Sequence, residues 1–202
     1  MPFEVCWFAM RIIAGSLRRR TLEAPAGLAT RPTSARMRET LFNVLAPRIE
    51  GAVFLDLYAG SGAVGIEAVS RGAAQVAFVE RAPAALKVLR ANLAQLGLTA
   101  GFRIESASVG TYLRKARVNT SMAFDVVFLD PPYDAAEEYA AALGLLGGAA
   151  AGMLAGGAVV IAEHRRKERL AECYGRLGRM RLLEQGDAAL SFYALSAQTA
   201  NR

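Results

Sequence analysis

A doubly wound α/β fold is what this chain predicts, on three observations. From Ala52 onward short apolar runs alternate with helical patterns, the runs are apolar at nearly every position, and a glycine loop joins the first run to the first helix. Such alternation means crossover units and a parallel sheet. Strands covered by helices on both faces need apolar residues throughout rather than at every second position.

The strands expected in order are 52–57 (AVFLDL), 75–80 (QVAFVE), 101–106 (GFRIES), 124–130 (FDVVFLD) and 158–163 (AVVIAE). Helices are expected over 64–71, 83–96, roughly 109–117 and 135–146. The second is the clearest: Leu86, Leu89, Leu93 and Leu96 form one stripe, Pro83 takes a first-turn position and Gly97 is the stop. Residues 179–185 and 189–195, around "QGDA", read as an antiparallel pair closing the sheet. Before Ala52, "RIIAGSLRRRTLEAP" reads as a short β-ribbon. "TSARMRETLFNVLAPR" then reads as a helix, with Met37, Leu41 and Leu45 inward and Arg36 and Arg38 facing out. The chain divides into an extension over 1–9, a basic arm over 10–50 and a sheet domain over 51–197.

Of 202 residues, 53% are hydrophobic and 21% charged, enough for a sizeable core and against global disorder. Two cysteines far apart, Cys6 and Cys173, and a single histidine, His164, support neither a zinc site nor a Ser–His–Asp triad, so no metal is expected. His164 reads as a surface histidine. Few cysteines also suit a reducing compartment, and a cytoplasmic location is expected. Tyr139 to Ala162 holds no charge for 24 residues, but Gly147-Gly148 and Gly156-Gly157 break it. A helix, a loop and a buried strand explain that stretch better than a membrane span.

The net charge is +6, carried by 21 Arg against 3 Lys. Between Arg11 and Arg38 seven arginines (Arg11, Arg18, Arg19, Arg20, Arg31, Arg36 and Arg38) stand against a single acid, Glu23. Clustering of this kind favours a nucleic-acid partner over a merely solubilising face.

Residues 55–65, "LDLYAGSGAVG", place Gly60-x-Gly62-x-x-Gly65 between a strand and a helix, with Glu80 twenty residues past Gly60. That matches a dinucleotide fingerprint, so a nicotinamide oxidoreductase or regulator is one reading. A packing-only turn is another. Asp56 argues for a third, because a carboxylate four residues before Gly60 would repel a pyrophosphate. S-adenosylmethionine has no phosphate and carries an ammonium and a sulfonium, which an acid attracts.

The run "DVVFLDPPYDA", 125–135, ends a strand on Asp130, Pro131, Pro132 and Tyr133. Strand ends of open α/β sheets are where ligands bind. An exocyclic amine on a nucleobase is a poor nucleophile, since its lone pair is delocalised into the ring. Asp130 accepting one N–H and the Pro131 carbonyl accepting the other would direct that lone pair at a methyl carbon. Fixed proline φ holds the carbonyl, and Tyr133 offers a face for a flipped-out base. A proline-stiffened loop with Asp134 as helix cap is the bland alternative.

With these motifs on the page, the chain resembles a known family. "MRIIAG" at 10–15, "RPTSARMRETLFN" at 31–43, "LDLYAGSGAVGIEAVSRGA" at 55–73 and "LDPPY" at 129–133 resemble the RsmD-like bacterial 16S rRNA guanine-N2 methyltransferases. The resemblance implies a Rossmann-like, seven-stranded class I methyltransferase sheet whose last strand is antiparallel. It also implies S-adenosylmethionine as cofactor, S-adenosylhomocysteine as product, and the small ribosomal subunit or its 16S rRNA as partner. It makes Asp56, Tyr58, Gly60, Ser61, Gly62, Glu80, Arg81, Ser106, Ala107 and Asp130 cofactor positions, and Asp130, Pro131, Pro132 and Tyr133 catalytic ones. The seven arginines become RNA contacts, and a monomer is expected. The family usually carries Gly where Arg19 stands, Asp where Ala35 stands, and an acid or amide where this chain offers Ser106 or Ser108. Its chains tend to begin at the methionine matching Met10. A DNA adenine-N6 or cytosine-N4 methyltransferase is the nearest enzyme alternative, against which stands the lack of a separate target-recognition region.

Overall fold

The computed structural model describes residues 10–24, 34–116, 123–132 and 136–196. The arm opens with two short strands, β1 (Met10–Arg11) and β2 (Thr21–Leu22), followed by helix α1 (Ala35–Leu45). The alternating part runs β3 (Val53–Leu57), α2 (Ala63–Ser70), β4 (Gln75–Glu80), α3 (Pro83–Gln95), β5 (Phe102–Ser106), α4 (Val109–Ala116), β6 (Phe124–Leu129), α5 (Ala136–Gly147) and β7 (Leu154–Arg165). Strands β8 (Cys173–Tyr174), β9 (Leu177–Gln185) and β10 (Ala188–Leu195) close the chain.

These form one sheet in the order β5-β4-β3-β6-β7-β10-β9-β8. Strands β5, β4, β3, β6 and β7 are mutually parallel, while β10 inserts antiparallel between β7 and β9. The last long strand is therefore antiparallel, as expected. The count differs by one, because Cys173–Tyr174 adds a two-residue edge strand that lacks any apolar run to announce it. Strand β7 also begins four residues earlier than expected. Gly157, at φ 83, lets the chain pair again before Ala158, with an irregular register at Phe124.

Alternate side chains of the strands enter two cores. Phe54, Phe78, Phe128, Ile161 and Phe192 meet α1, α2 and α3 on one face. Leu55, Leu57, Val79, Val127, Leu129 and Val160 meet α4 and α5 on the other. Burying each such side chain stabilises the fold by about 1.5–3 kcal/mol. Truncating Phe54 or Phe128, both within 1% of full burial, would leave a cavity no neighbour can fill.

Parallel connectivity fixes an orientation for everything else. Strands β3 to β7 all end at one edge of the sheet, and α2 and α3 each run back from it to the opposite edge. The arm lies across that return path. Glu67 on α2, 1% exposed, accepts from Ile13 N (2.8 Å), Ala14 N (3.0 Å) and Arg71 Nε (2.8 Å). Ser70 Oγ accepts from Leu17 N and donates to the Ala14 carbonyl. Further along, Arg20 Nη2 donates to the Gln95 carbonyl at the end of α3 (2.9 Å). Helix α1 begins at Ser34, whose side chain accepts from Met37 N (3.1 Å).

The expectation that Arg38 faces out is overturned: it is 1% exposed. Helix α1 packs on the sheet with Met37, Leu41 and Leu45, and the arm covers its adjacent flank. Arg38 lies on that flank and donates from Nη2 to the Arg11 carbonyl (2.7 Å). Burial lowers its pKa, opposed by the nearby charges of Glu67 and Glu163. His164 is likewise not a surface residue, at 3% exposure. Its Nδ1 faces the Arg165 carbonyl and its Nε2 the Ser191 hydroxyl, both at 2.9 Å, and burial lowers its pKa. No helix among the described residues is long and apolar enough to cross a membrane.

Candidate active site

The register pairs Leu57 of β3 with Leu129 of β6, and Leu57 with Val79 of β4. The glycine loop after Leu57, the turn after Leu129 and the acid Glu80 therefore leave three neighbouring strands side by side, about 4.8 Å apart at each step. Asp130 is half-buried there, Pro131 is buried and Pro132 is exposed. Tyr133 and Asp134 lie outside the described residues.

Glu80 organises the loop. Its Oε2 accepts from Gly60 N, and its Oε1 from Arg81 N and Ala82 N, all at 2.8 Å. A carboxylate offers about four lone-pair positions, so three are occupied and one remains. Glu80 also pairs with Ser106 across β5, and Ala107 N donates to the Glu80 carbonyl (3.1 Å). Ser106 and Ala107 thus border the acid, whereas Ser108 is engaged with Thr111 at the start of α4.

The glycines divide by what surrounds them. A Cβ on Gly65 would lie 2.3 Å from Phe78 Cε1, so that position serves helix–sheet packing. Gly60, at φ 57, has nothing nearer than the Tyr58 carbonyl at 4.0 Å, and its open side is where a ligand can approach. Ser61 is 7% exposed and its carbonyl accepts from Asn92 Nδ2 of α3 (2.9 Å).

Asp56 sits behind the loop rather than on its open side. It is 2% exposed, and its Oδ2 accepts from Gly65 N at the start of α2 (2.8 Å). Burial pushes its carboxyl up to about 7, against the lowering effect of that hydrogen bond and with a further rise from Glu80. A direct contact between Asp56 and a ligand is not what this placement offers; it shapes the loop. The charge argument against a pyrophosphate, which rested on Asp56, is therefore weakened.

Two connections were not anticipated. Tyr58, at φ 63, donates its hydroxyl to Glu138 Oε2 on the first turn of α5 (2.7 Å), tying the glycine loop to the helix that follows the proline turn. Burial raises the Tyr58 pKa, and Glu138 adds to the rise. Asn92, fully buried, accepts from Glu23 N (2.8 Å) and donates to the Glu23 carbonyl (3.1 Å) as well as to Ser61. One side chain thereby joins the arm to the glycine loop. An amide inside an apolar helical stripe was the available signal.

The basic residues separate. Arg18, Arg19 and Arg20 are exposed at the far ends of α2 and α3, away from Asp130, with Arg20 closing the end of α3. Arg11 and Arg36 are exposed, and Arg31 lies outside the described residues.

Comparison with known proteins places this architecture. The family model described as "Conserved hypothetical protein 95" matches residues 10–194. A Bacillus subtilis protein named "Putative rRNA methyltransferase YlbH" is 36% identical over 91% of this chain and 98% of its own length. "Ribosomal RNA small subunit methyltransferase D" of Escherichia coli is 41% identical over 124 residues, 61% of this chain and 60% of that protein. The solved structure titled "Putative methyltransferase yhhF from Escherichia coli" superposes with a TM-score of 0.80 at 33% identity, covering 94% of this chain and 99% of that one.

Proposed function

As this chain belongs to the conserved hypothetical protein 95 family, we propose that it transfers a methyl group from S-adenosylmethionine to the exocyclic N2 amine of one guanine in 16S rRNA of the small ribosomal subunit. That it is an rRNA methyltransferase is supported by the names its relatives carry. The observation that supports the chemistry is the adjacency of the glycine loop and Asp130-Pro131 at the ends of paired strands β3 and β6.

The residues present fit the cofactor. Gly60 leaves an open approach, Glu80 keeps one acceptor position, and Ser106 and Ala107 border it. When bound there, S-adenosylmethionine supplies an electrophilic methyl on a positively charged sulfur. Asp130 accepts one N–H of the amine and the Pro131 carbonyl the other, which localises the nitrogen lone pair for in-line attack. As the methyl group is transferred, Asp130 would take up one amine proton and pass it to water, leaving the neutral methylated amine. Tyr133 supplies the stacking face for the extruded base, an interaction worth about 1–3 kcal/mol. Arg11, Arg18, Arg19, Arg20, Arg31 and Arg36 contact the rRNA backbone; buried Arg38 is withdrawn from that set.

Incubation with tritiated cofactor and small subunits lacking the modification, followed by nucleotide mapping, tests the assignment. Label on N2 of a single guanine is the expected result. Label on adenine or cytosine, or transfer to DNA in preference to rRNA, would overturn it.

A further inference from the structure

The arm arginines raise a problem of distance. Arg20 caps the far end of α3, whose 13 residues span about 20 Å, so Arg18 to Arg20 cannot hold the nucleotides flanking a base at Asp130. Another basic segment is placed where they are not. Leu129 pairs with Ala162, so Glu163 is level with Asp130 on the neighbouring strand. The chain then leaves β7 through Arg166, Lys167 and Arg169, all exposed. At a strand rise of about 3.3 Å, Lys167 lies within about 13 Å of the level of Asp130. The turn is held in place: Arg166 N donates to the Asp187 carbonyl (2.8 Å) and Glu168 N to the Arg165 carbonyl (2.9 Å). Of the neighbouring acids Glu168, Glu184 and Asp187, Glu184 pairs with it weakly. Glu184 approaches Arg166 only to 3.9 Å, with both side chains more than half or about half exposed. Such pairs yield readily to a phosphate.

We propose that Arg166, Lys167 and Arg169 grip RNA phosphates beside the target nucleotide, on the β7 side of the catalytic edge. This rests on the rRNA-methyltransferase reading and divides the RNA footprint in two. The turn after β7 holds the strand next to the flipped base, and the arm touches the RNA about a helix length away. Arginine and lysine suit this role because the contact needs charge and reach, not base readout.

The test compares wild type with Arg166→Ala/Lys167→Ala/Arg169→Ala, in steady-state methylation of unmodified small subunits and in direct binding to 16S rRNA with S-adenosylhomocysteine present. The expected result is a 10- to 100-fold rise in KM for subunits and in the RNA Kd, with cofactor affinity unchanged. The plot of log Kd against log salt should be shallower by roughly 2, since each phosphate contact contributes about 0.7–0.9 to the slope. Thermal melting monitors folding, and Arg166→Lys/Arg169→Lys, which keeps the charge, should retain most of the affinity. Unchanged KM, Kd and slope in an active enzyme would overturn the proposal and leave the functional reading intact. If wild type binds rRNA but transfers nothing, and the triple variant does not bind, the functional reading fails and the phosphate surface stands. If wild type neither binds nor transfers, both fall.

Discussion

Tyr58 and Arg19 are the described residues other than glycine with left-handed backbone, at φ 63 and φ 70, and they lie at opposite edges of the sheet. That conformation costs an L-residue about 1–2 kcal/mol. At the edge where β3 and β6 end, Tyr58 is held by its side chain, which reaches Glu138, and by Ala59 N donating to the Val79 carbonyl (3.0 Å). At the far edge, Arg19 is held by its main chain alone, through Arg19 N to the Ile12 carbonyl (2.9 Å), and its side chain points into solvent. Strain is offset by a specific contact at the edge we propose carries the chemistry. Where the chain only turns, nothing the arginine side chain does explains it.

The largest way to break this contrast is at Asp56. A carboxyl whose folded value, about 7, exceeds its ordinary 3.8 binds its proton more tightly in the folded state. Its contribution to stability is therefore complete below about pH 4 and is lost as pH rises to about 7. The loss is on the order of 4 kcal/mol at most. Denaturant melts from pH 4 to 8 should show that fall in wild type and a flatter profile in Asp56→Asn; parallel profiles would remove Asp56 from the account. Next is the far edge itself. A Cβ on Gly15 would lie 1.8 Å from the Ser70 carbonyl oxygen, so Gly15→Ala should destabilise by about 3 kcal/mol while the folded fraction keeps its kcat. A kcat loss larger than the folded fraction explains would show that the arm's seat is catalytic.

At the edge where β3 and β6 end, Tyr58→Phe removes a hydrogen bond to a charged acceptor, and a stability loss of about 1.5 kcal/mol is expected. S-adenosylhomocysteine affinity should fall roughly tenfold with it, about 1.4 kcal/mol by titration calorimetry. Unaltered affinity would mean that the tie to α5 does not position the loop. The smallest effect is at Arg19. Arg19→Gly should stabilise by about 1 kcal/mol in a thermal melt and leave S-adenosylhomocysteine affinity unchanged; a loss of stability would show that Arg19 makes a contact beyond its backbone.

What the sequence carried follows the same division. Period and polarity located the strands and most helices, because burial on both faces leaves long apolar runs such as FDVVFL. The site's frame was readable because glycine, proline and acid occur at strand ends for few reasons. Tertiary partners were not readable. Asp56 is buried because α2 begins over it, and Arg38 because the arm covers a second flank of α1; neither partner is adjacent in sequence. The positive φ at Arg19 suits the glycine that the resemblance leads one to expect there, and nothing in the structure explains Arg19 itself or Ala35. Glu67 carried a faint signal, a lone acid in the apolar stretch AVGIEAVS, where an unpaired charge would be costly.

The central proposal is that Asp130, which the resemblance also makes a cofactor position, acts chiefly on the amine. Single-turnover transfer from labelled S-adenosylmethionine to unmodified small subunits by Asp130→Ala, alongside its S-adenosylhomocysteine affinity, tests this most directly. The account predicts a rate at least about 100-fold below wild type, the range of a lost acid–base or charge-stabilising group, with affinity within threefold. A rate within threefold of wild type, or a matching collapse of cofactor binding, would contradict it.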